Sequence, residues 1–169
     1  MFGITKRWGF TKISLSTFNQ QIGFSEGERD SSGKFLRERV EGDSVLITPV
    51  TKNDLRGYKI YAPYQRINHH RVSSQSNIII GRSNLVMNFS WQLNQRREFG
   101  DVLNPDDAEL FFRMNTFTYG FQYHLPEMKN WNTTFGISGM YQRSENKGAE
   151  FLIPAYHLFD YGFFGVTQK

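Results

Sequence analysis

Between residues 85 and 96 apolar and polar side chains alternate without a break. Leu85, Met87, Phe89, Trp91 and Leu93 fall on one side of an extended chain, and Asn88, Ser90, Gln92, Asn94 and Arg96 on the other, because successive side chains of a strand point to opposite faces. The run is about twelve residues long. Strands of soluble sheets average ~5–6 residues, whereas ~9–11 residues carry a tilted strand across a bilayer. A long, two-faced strand of this kind needs an apolar phase on one side and a wet one on the other.

The same period recurs along the chain. Val72, Ser74, Ser76, Ile78 and Ile80 alternate with Arg71, Ser73, Gln75 and Asn77, and the segment 81–84 forms a short turn that makes a hairpin with the strand above. Trp131, Thr133, Phe135, Ile137, Gly139 and Tyr141 oppose Asn132, Thr134, Gly136, Ser138 and Gln142, with aromatic rings at both ends, the placement of an interfacial girdle. Residues 110–123 read as a strand with Phe117, Tyr119 and Phe121 on one face. Leu110, Phe112 and Met114 are in the opposite phase, so a bulge is expected near Asn115 or Thr116. A first strand at 8–20 sets Ile13 and Leu15 against Lys12, Ser14 and Ser16. A last one at 157–168 sets Phe159, Tyr161 and Phe163 against Asp160 and Gly162.

Connections alternate in length: 21–67, 100–109 and 146–156 are long and polar, 81–84 and 125–130 short. Membrane barrels have short periplasmic turns and longer outer loops. Strands beginning near Trp8, Leu85 and Trp131 are therefore expected to run outward, and those beginning near Ile67, Leu110 and His157 to return.

Composition bears on this reading at four points. Phe, Tyr and Trp make up 16% of the 169 residues, with Gly frequent and Leu, Ile and Val scarce, which suits strands better than helices. Mean hydropathy is −0.53 and no stretch approaches the ~20 apolar residues of a membrane helix, a test that barrels escape because only every second residue meets lipid. The net charge of +4 comes from scattered basic residues, the densest cluster, Arg96 and Arg97, lying beside Glu98; this argues for solvated or lumen-facing charge and against nucleic-acid binding. There is no cysteine for disulfides or thiolate metal sites. The opening residues Met-Phe-Gly-Ile-Thr-Lys-Arg lack the apolar core of a secretory signal, and the last strand is still running where the sequence stops, so a piece of a larger protein is expected.

Several segments carry a family likeness. Tyr-Gln-Arg-Ile-Asn-His-His-Arg at 64–71, Asn-Gln-Arg-Arg-Glu-Phe-Gly-Asp at 94–101, Tyr-His-Leu-Pro at 123–126, Asn-Lys-Gly-Ala-Glu-Phe-Leu-Ile-Pro at 146–154 and Leu-Phe-Asp at 158–160 resemble the barrel of TonB-dependent outer-membrane receptors, iron and siderophore branch, in order along essentially the whole chain. The resemblance implies an outer-membrane protein of a Gram-negative bacterium with a barrel of about 22 strands around an N-terminal plug. It further implies uptake of a scarce ligand, such as a ferric siderophore, with energy relayed through TonB. Residues 1–169 would supply an incomplete part of that barrel: an all-β antiparallel meander of about six strands, without plug or signal peptide. Its partners would be outer-membrane lipid and lipopolysaccharide, the plug of the same receptor, TonB and the ligand, and no nucleic acid.

On that reading Lys12, Arg71, Asn88, Gln92, Arg96 and Gln142 face the lumen and the plug. Tyr58, Tyr61, Tyr64, Phe151 and Tyr156 stand in outer loops, where rings can stack on a ligand. His69 and His70 are adjacent, hence on opposite faces, and poorly placed to share a metal ion; His124 and His157 suit interfacial or solvated positions. Asp101, Asp106, Asp107 and Glu109 offer oxygens for calcium but lack the spacing of a dedicated calcium loop. With no Gly-rich phosphate loop before a helix and no Ser-His-Asp set that can be placed on one site, catalysis is not expected, and no cofactor is implied. The alternative is a soluble or passive all-β binding module, or a porin-like barrel without TonB coupling.

Overall fold

The computed structural model describes residues 1–24 and 27–169. Nine strands follow in chain order: β1 Phe2–Lys6, β2 Gly9–Gly23, β3 Leu36–Glu41, β4 Ser44–Pro49, β5 Tyr64–Ile80, β6 Ser83–Phe99, β7 Leu110–His124, β8 Asn132–Asn146 and β9 Tyr156–Gln168. Seven of them form one sheet in the order β1-β2-β5-β6-β7-β8-β9, and β3-β4 form a separate hairpin. Every neighbouring pair is antiparallel. The chain is thus an all-β antiparallel meander whose sheet does not close, with one side of β1 and one side of β9 unpaired among the described residues.

The meander exceeds the six expected strands by β1, five residues whose apolar set is too short to stand out from sequence and which is held by its pairing with β2. The long connection 24–63 also differs from a plain polar loop, since it carries the β3-β4 hairpin and a 3-10 turn at Asp54–Arg56. The long strands run 13–17 residues, or roughly 50 Å at ~3.3 Å per residue, enough to cross a ~30 Å apolar layer at a tilt and stand clear of it on one side.

The bulge expected near Asn115 is absent. Pairing of β7 runs unbroken from Asn84↔His124 to Glu98↔Leu110 on one side, and from Phe112↔Asn146 to His124↔Thr134 on the other. Leu110, Phe112 and Met114 keep their phase and lie on the face opposite to Phe117, Tyr119 and Phe121, at its long-loop end. Phe111 moves to the opposite face, where the Arg97 guanidinium lies 4.2 Å from its ring centre.

All long connections leave one end of the sheet and all short ones the other. At the short end, residues 7–8 and 81–82 are two-residue turns, the latter led by Gly81 at φ 63°, a conformation that costs glycine nothing. The β7-β8 connection closes on a Met128↔Trp131 bridge with Lys129 and Asn130 both at positive φ, the signature of a type I′ turn, whose twist matches that of the flanking strands.

Little of the sheet is buried. Among the described residues the only buried hydrophobic side chains are Tyr64, 6% exposed, and Phe99, 4% exposed. Accessible surface totals 12182 Å², against about 8,600 Å² for a compact monomer of this mass. The sheet has no second layer to bury either face.

Candidate functional site

Register assigns each side chain to one of two faces. One face carries four successive cross-strand rows that are almost wholly apolar: Leu15, Val72, Trp91, Phe117, Tyr141, Phe159; Phe2, Ile13, Ser74, Phe89, Tyr119, Gly139, Tyr161; Ile4, Thr11, Ser76, Met87, Phe121, Ile137, Phe163; and Ile78, Leu85, Tyr123, Phe135, Gly165. Aromatic side chains interlock within it. Phe89 meets Phe117 at 6.4 Å and Phe121 edge-on at 5.3 Å, and Tyr161 meets Phe163 at 5.8 Å. Thr11 Oγ1 and Ser76 Oγ satisfy each other through a 3.0 Å hydrogen bond, which lowers the cost of placing them on an apolar face. A Cβ on Gly139 would run into the Tyr119 ring and the Asp160 carbonyl, so glycine at that position allows the two strands to approach beneath the ring.

The opposite face is polar and concave. Its central rows read Ser16, Arg71, Gln92, Thr116, Gln142, Leu158; Ser14, Ser73, Ser90, Thr118, Met140, Asp160; and Lys12, Gln75, Asn88, Gly120, Ser138, Gly162, polar but for Met140 and Leu158. A hollow of about 600 Å³ reaches across β2, β5, β6, β7 and β8 on this side and is lined chiefly by members of these rows. Cross-strand hydrogen bonds fix the side chains: Arg71 Nε donates to Ser90 Oγ at 3.1 Å, Gln142 Nε2 to Thr116 Oγ1 at 3.0 Å, and the Tyr156 hydroxyl to Gln142 Oε1 at 2.7 Å. The surface is an amide and hydroxyl lattice with a cation at Lys12 and at Arg71. It can exchange hydrogen bonds with water, polypeptide or a polar solute.

Lys12, Arg71, Asn88, Gln92, Arg96 and Gln142 all lie on this concave face, as their phase required. Lys12, Arg71 and Asn88 line the hollow, Gln92 and Gln142 occupy one row with Thr116 between them, and Arg96 sits nearer the long-loop end in an ion pair with Glu98. The five aromatic candidates do not form one cluster. Tyr58 and Phe151 are exposed in loops. Tyr61 packs under Arg37 at 4.5 Å and Lys59 at 5.0 Å. Tyr64 and Tyr156 are strand residues, the first of β5 and of β9. The Tyr64 ring is stacked on Phe99 at 4.5 Å and its hydroxyl donates to the Pro105 carbonyl at 3.3 Å, so a loop covers it; sequence alone did not show that 100–109 folds back over this pair.

His69 and His70 point to opposite faces, the first beside Asn94 at 3.1 Å, the second beside Thr17 at 2.9 Å. The His124 ring pairs with Thr134 at 2.8 Å and that of His157 with the Tyr141 hydroxyl at 3.0 Å. No group of three His, Asp or Glu side chains converges on a metal position among the described residues. Asp101 is engaged within its own loop: its carboxylate accepts from Asn104 Nδ2 and from the Leu103 amide, each at 2.7 Å. These bonds, the Asn104 side chain foremost, hold its pKa below the usual carboxylate value.

A polar clamp missed from sequence organises the longest loop. Asp54 accepts from Thr51 Oγ1 at 2.6 Å and the Thr51 amide at 2.8 Å, and pairs with Arg37 at 2.8 Å and Arg39 at 3.2 Å, tying the 3-10 turn to the β3-β4 hairpin. The Thr51 bonds first, and then the two guanidiniums, lower the Asp54 pKa. A depressed carboxylate contributes its stabilisation above the unfolded-state value near 3.8 and loses it as pH falls through the lower folded-state value. Asp54→Asn should therefore open the loop at neutral pH. Trypsin should cut the variant faster at Arg37, Arg39 and Arg56 while the long strands stay protected, and the unmodified loop should become equally sensitive to an acid-stable protease only below the carboxylate range. Equal cleavage of both proteins at neutral pH would remove the clamp from the account.

No protein-family model, curated protein or solved structure matches this chain.

Proposed function

We propose that the chain is part of the membrane wall of a TonB-dependent outer-membrane receptor of the iron and siderophore branch, one that imports a scarce ligand using energy relayed through TonB. The observation that carries the membrane part of this reading is the pairing of an unburied aromatic band with a polar concave face on one continuous meander. In water that band has no cover; in a bilayer it meets acyl chains while the concave face lines a wet interior. Segregation of turns and loops to opposite ends supports the same orientation, with loops 24–63, 100–109 and 147–155 on the cell surface. The transport part rests on the sequence segments at 64–71, 94–101, 123–126, 146–154 and 158–160. In this reading the concave lattice around Arg71, Asn88, Gln92 and Gln142 hydrogen-bonds the plug and the water around it, and the surface loops contribute to ligand docking.

The test uses the intact receptor in cells. Ligand uptake should vanish when TonB is deleted or the proton gradient is collapsed, while binding at the cell surface persists, because energy is needed to pass the plug and not to dock. Uptake that continued unchanged without TonB would replace this reading with that of a passive pore.

A further inference from the structure

The face that carries the aromatic band does not stay apolar to its end. Beyond Leu15, Val72, Trp91, Phe117, Tyr141 and Phe159, toward the long loops, the next three rows read Thr17, His70, Leu93, Asn115, Arg143, His157; Asn19, Asn68, Gln95, Arg113, Glu145; and Gln21, Arg66, Arg97, Phe111. Four consecutive strands, β5 to β8, thus each present one arginine on the same face just past the apolar band, against a single carboxylate, Glu145. At ~4.8 Å between strands and ~3.3 Å per residue the four run diagonally, about 15 Å across the sheet and about 13 Å along it.

Their charge is poorly compensated. Arg66 and Arg97 are direct cross-strand partners, an arrangement that like charges make unfavourable. The Arg97 guanidinium donates to Asn68 Oδ1 at 3.1 Å and Gln95 Oε1 at 3.3 Å and lies over Phe111. That of Arg66 lies 5.3 Å from the Phe99 ring centre and 5.8 Å from that of Tyr64. Among the described residues neither meets a carboxylate. Arg113 Nε is shielded from solvent without any hydrogen-bond partner. Glu145 is the cross-strand partner of Arg113, but it pairs with Arg143 at 2.7 Å and is approached by Lys147 at 3.5 Å, so one carboxylate faces three cations. Amide oxygens and rings hold Arg97, and rings Arg66, without neutralising them, which leaves planar guanidiniums suited to bidentate contact with phosphate.

We propose that Arg66, Arg97, Arg113 and Arg143 form a belt that binds the phosphate groups of anionic lipid headgroups in the leaflet on the long-loop side. The occupant follows from the two halves of the surface taken together: an amphiphile whose chains lie on the aromatic band has its headgroup at the level of the next rows, and there the sheet offers arginine. A soluble polyanion would meet the same charges but has nothing to place on the band. The inference rests on the membrane-wall reading and adds to it a preference for phosphorylated lipid.

The full chain, diluted from denaturant into vesicles, tests this by flotation, with three compositions: phosphatidylcholine alone, phosphatidylcholine with diphosphoryl lipid A, and phosphatidylcholine with lipid A stripped of its phosphates. Flotation with all three is expected, with stronger association in the diphosphoryl case that weakens at high salt. Replacing Arg97 and Arg113 together by Gln should remove that preference, on the order of tenfold for two charges near an anionic surface. The Arg97→Lys, Arg113→Lys pair should keep most of it, and Lys12→Gln on the concave face should change nothing. Flotation that ignores the lipid phosphates, or a preference that survives the glutamine pair, overturns the belt and leaves the membrane wall standing. Failure to float with any vesicle overturns both.

Discussion

On the membrane-wall reading proposed above, Phe89→Arg is expected to remove the protein from the outer membrane, whereas Gln92→Arg, three residues along the same strand, is expected to leave its level unchanged. Phe89 lies in the middle of the nine-residue apolar run of β6, beside Ser74 and Tyr119 in its row and packed on Phe117 and Phe121. A guanidinium there meets hydrocarbon and aromatic rings without an anion in reach, at a cost of roughly 2–4 kcal/mol near the bilayer midplane. That is a large share of the ~5–15 kcal/mol that holds a folded domain together. Gln92 lies on the concave face between Arg71 and Thr116. A second cation beside Arg71 is there screened by water and mobile ions, so the protein should assemble and any defect should appear in uptake. Quantifying receptor in outer-membrane fractions, together with ligand accumulation, separates the two outcomes. Equal loss of both variants from the membrane would mean that the faces are not as different as the register makes them.

That asymmetry was legible in the sequence, and its limits are instructive. Period two is a local signal, so the faces of β6 could be read from residues 85–96 alone and then carried to β5, β8 and β9. The register adds what no single strand contains. Whether Arg66, Arg97, Arg113 and Arg143 form one belt depends on how four strands align, and the cluster Arg96-Arg97 reads from sequence as one basic patch although its members face opposite sides. The same holds for Tyr156, which falls among loop residues in the sequence but starts β9, where its hydroxyl reaches Gln142.

The misjudged bulge in β7 has a physical reason too. Leu110, Phe112 and Met114 break the simple rule that the concave face is polar, and a phase shift would have restored it. Near the long-loop end, however, the division is weaker on both faces: Arg66, Arg97 and Arg113 stand on the otherwise aromatic one, and Met114 lies 4.0 Å from the Tyr156 hydroxyl on the concave one. The hairpin in the long connection was signalled by Gly42-Asp43 between two short runs containing Val40, Val45 and Ile47, a recognised two-residue turn. Polar neighbours such as Arg37, Arg39 and Glu41 obscured the runs. Asp54 could not be tied to Arg37 and Arg39 without knowing that the 3-10 turn folds back on the hairpin.

Outside detergent or membrane the chain is expected to aggregate rather than run as a monomer. The exposed band includes Phe2, Leu15, Phe135, Phe159, Tyr161 and Phe163, the last 73% exposed, and the total surface exceeds that of a compact fold of equal mass by roughly 40%. Apolar patches beyond a few hundred Å² already drive association. Two unpaired edges add to this: β1 and β9 each present free amides and carbonyls to any strand that approaches, and β9 carries rings on its apolar face that would stack in the joint. Edge pairing and face burial are cooperative, since each added strand extends the band available to the next chain. Gel filtration without detergent should therefore place the chain in the void volume, and a non-ionic detergent should shift it to a smaller species that retains a β-sheet circular dichroism spectrum. A sharp monomer peak in plain buffer, with cooperative thermal unfolding, would require the band to be covered from within and would favour a soluble binding module over a membrane wall.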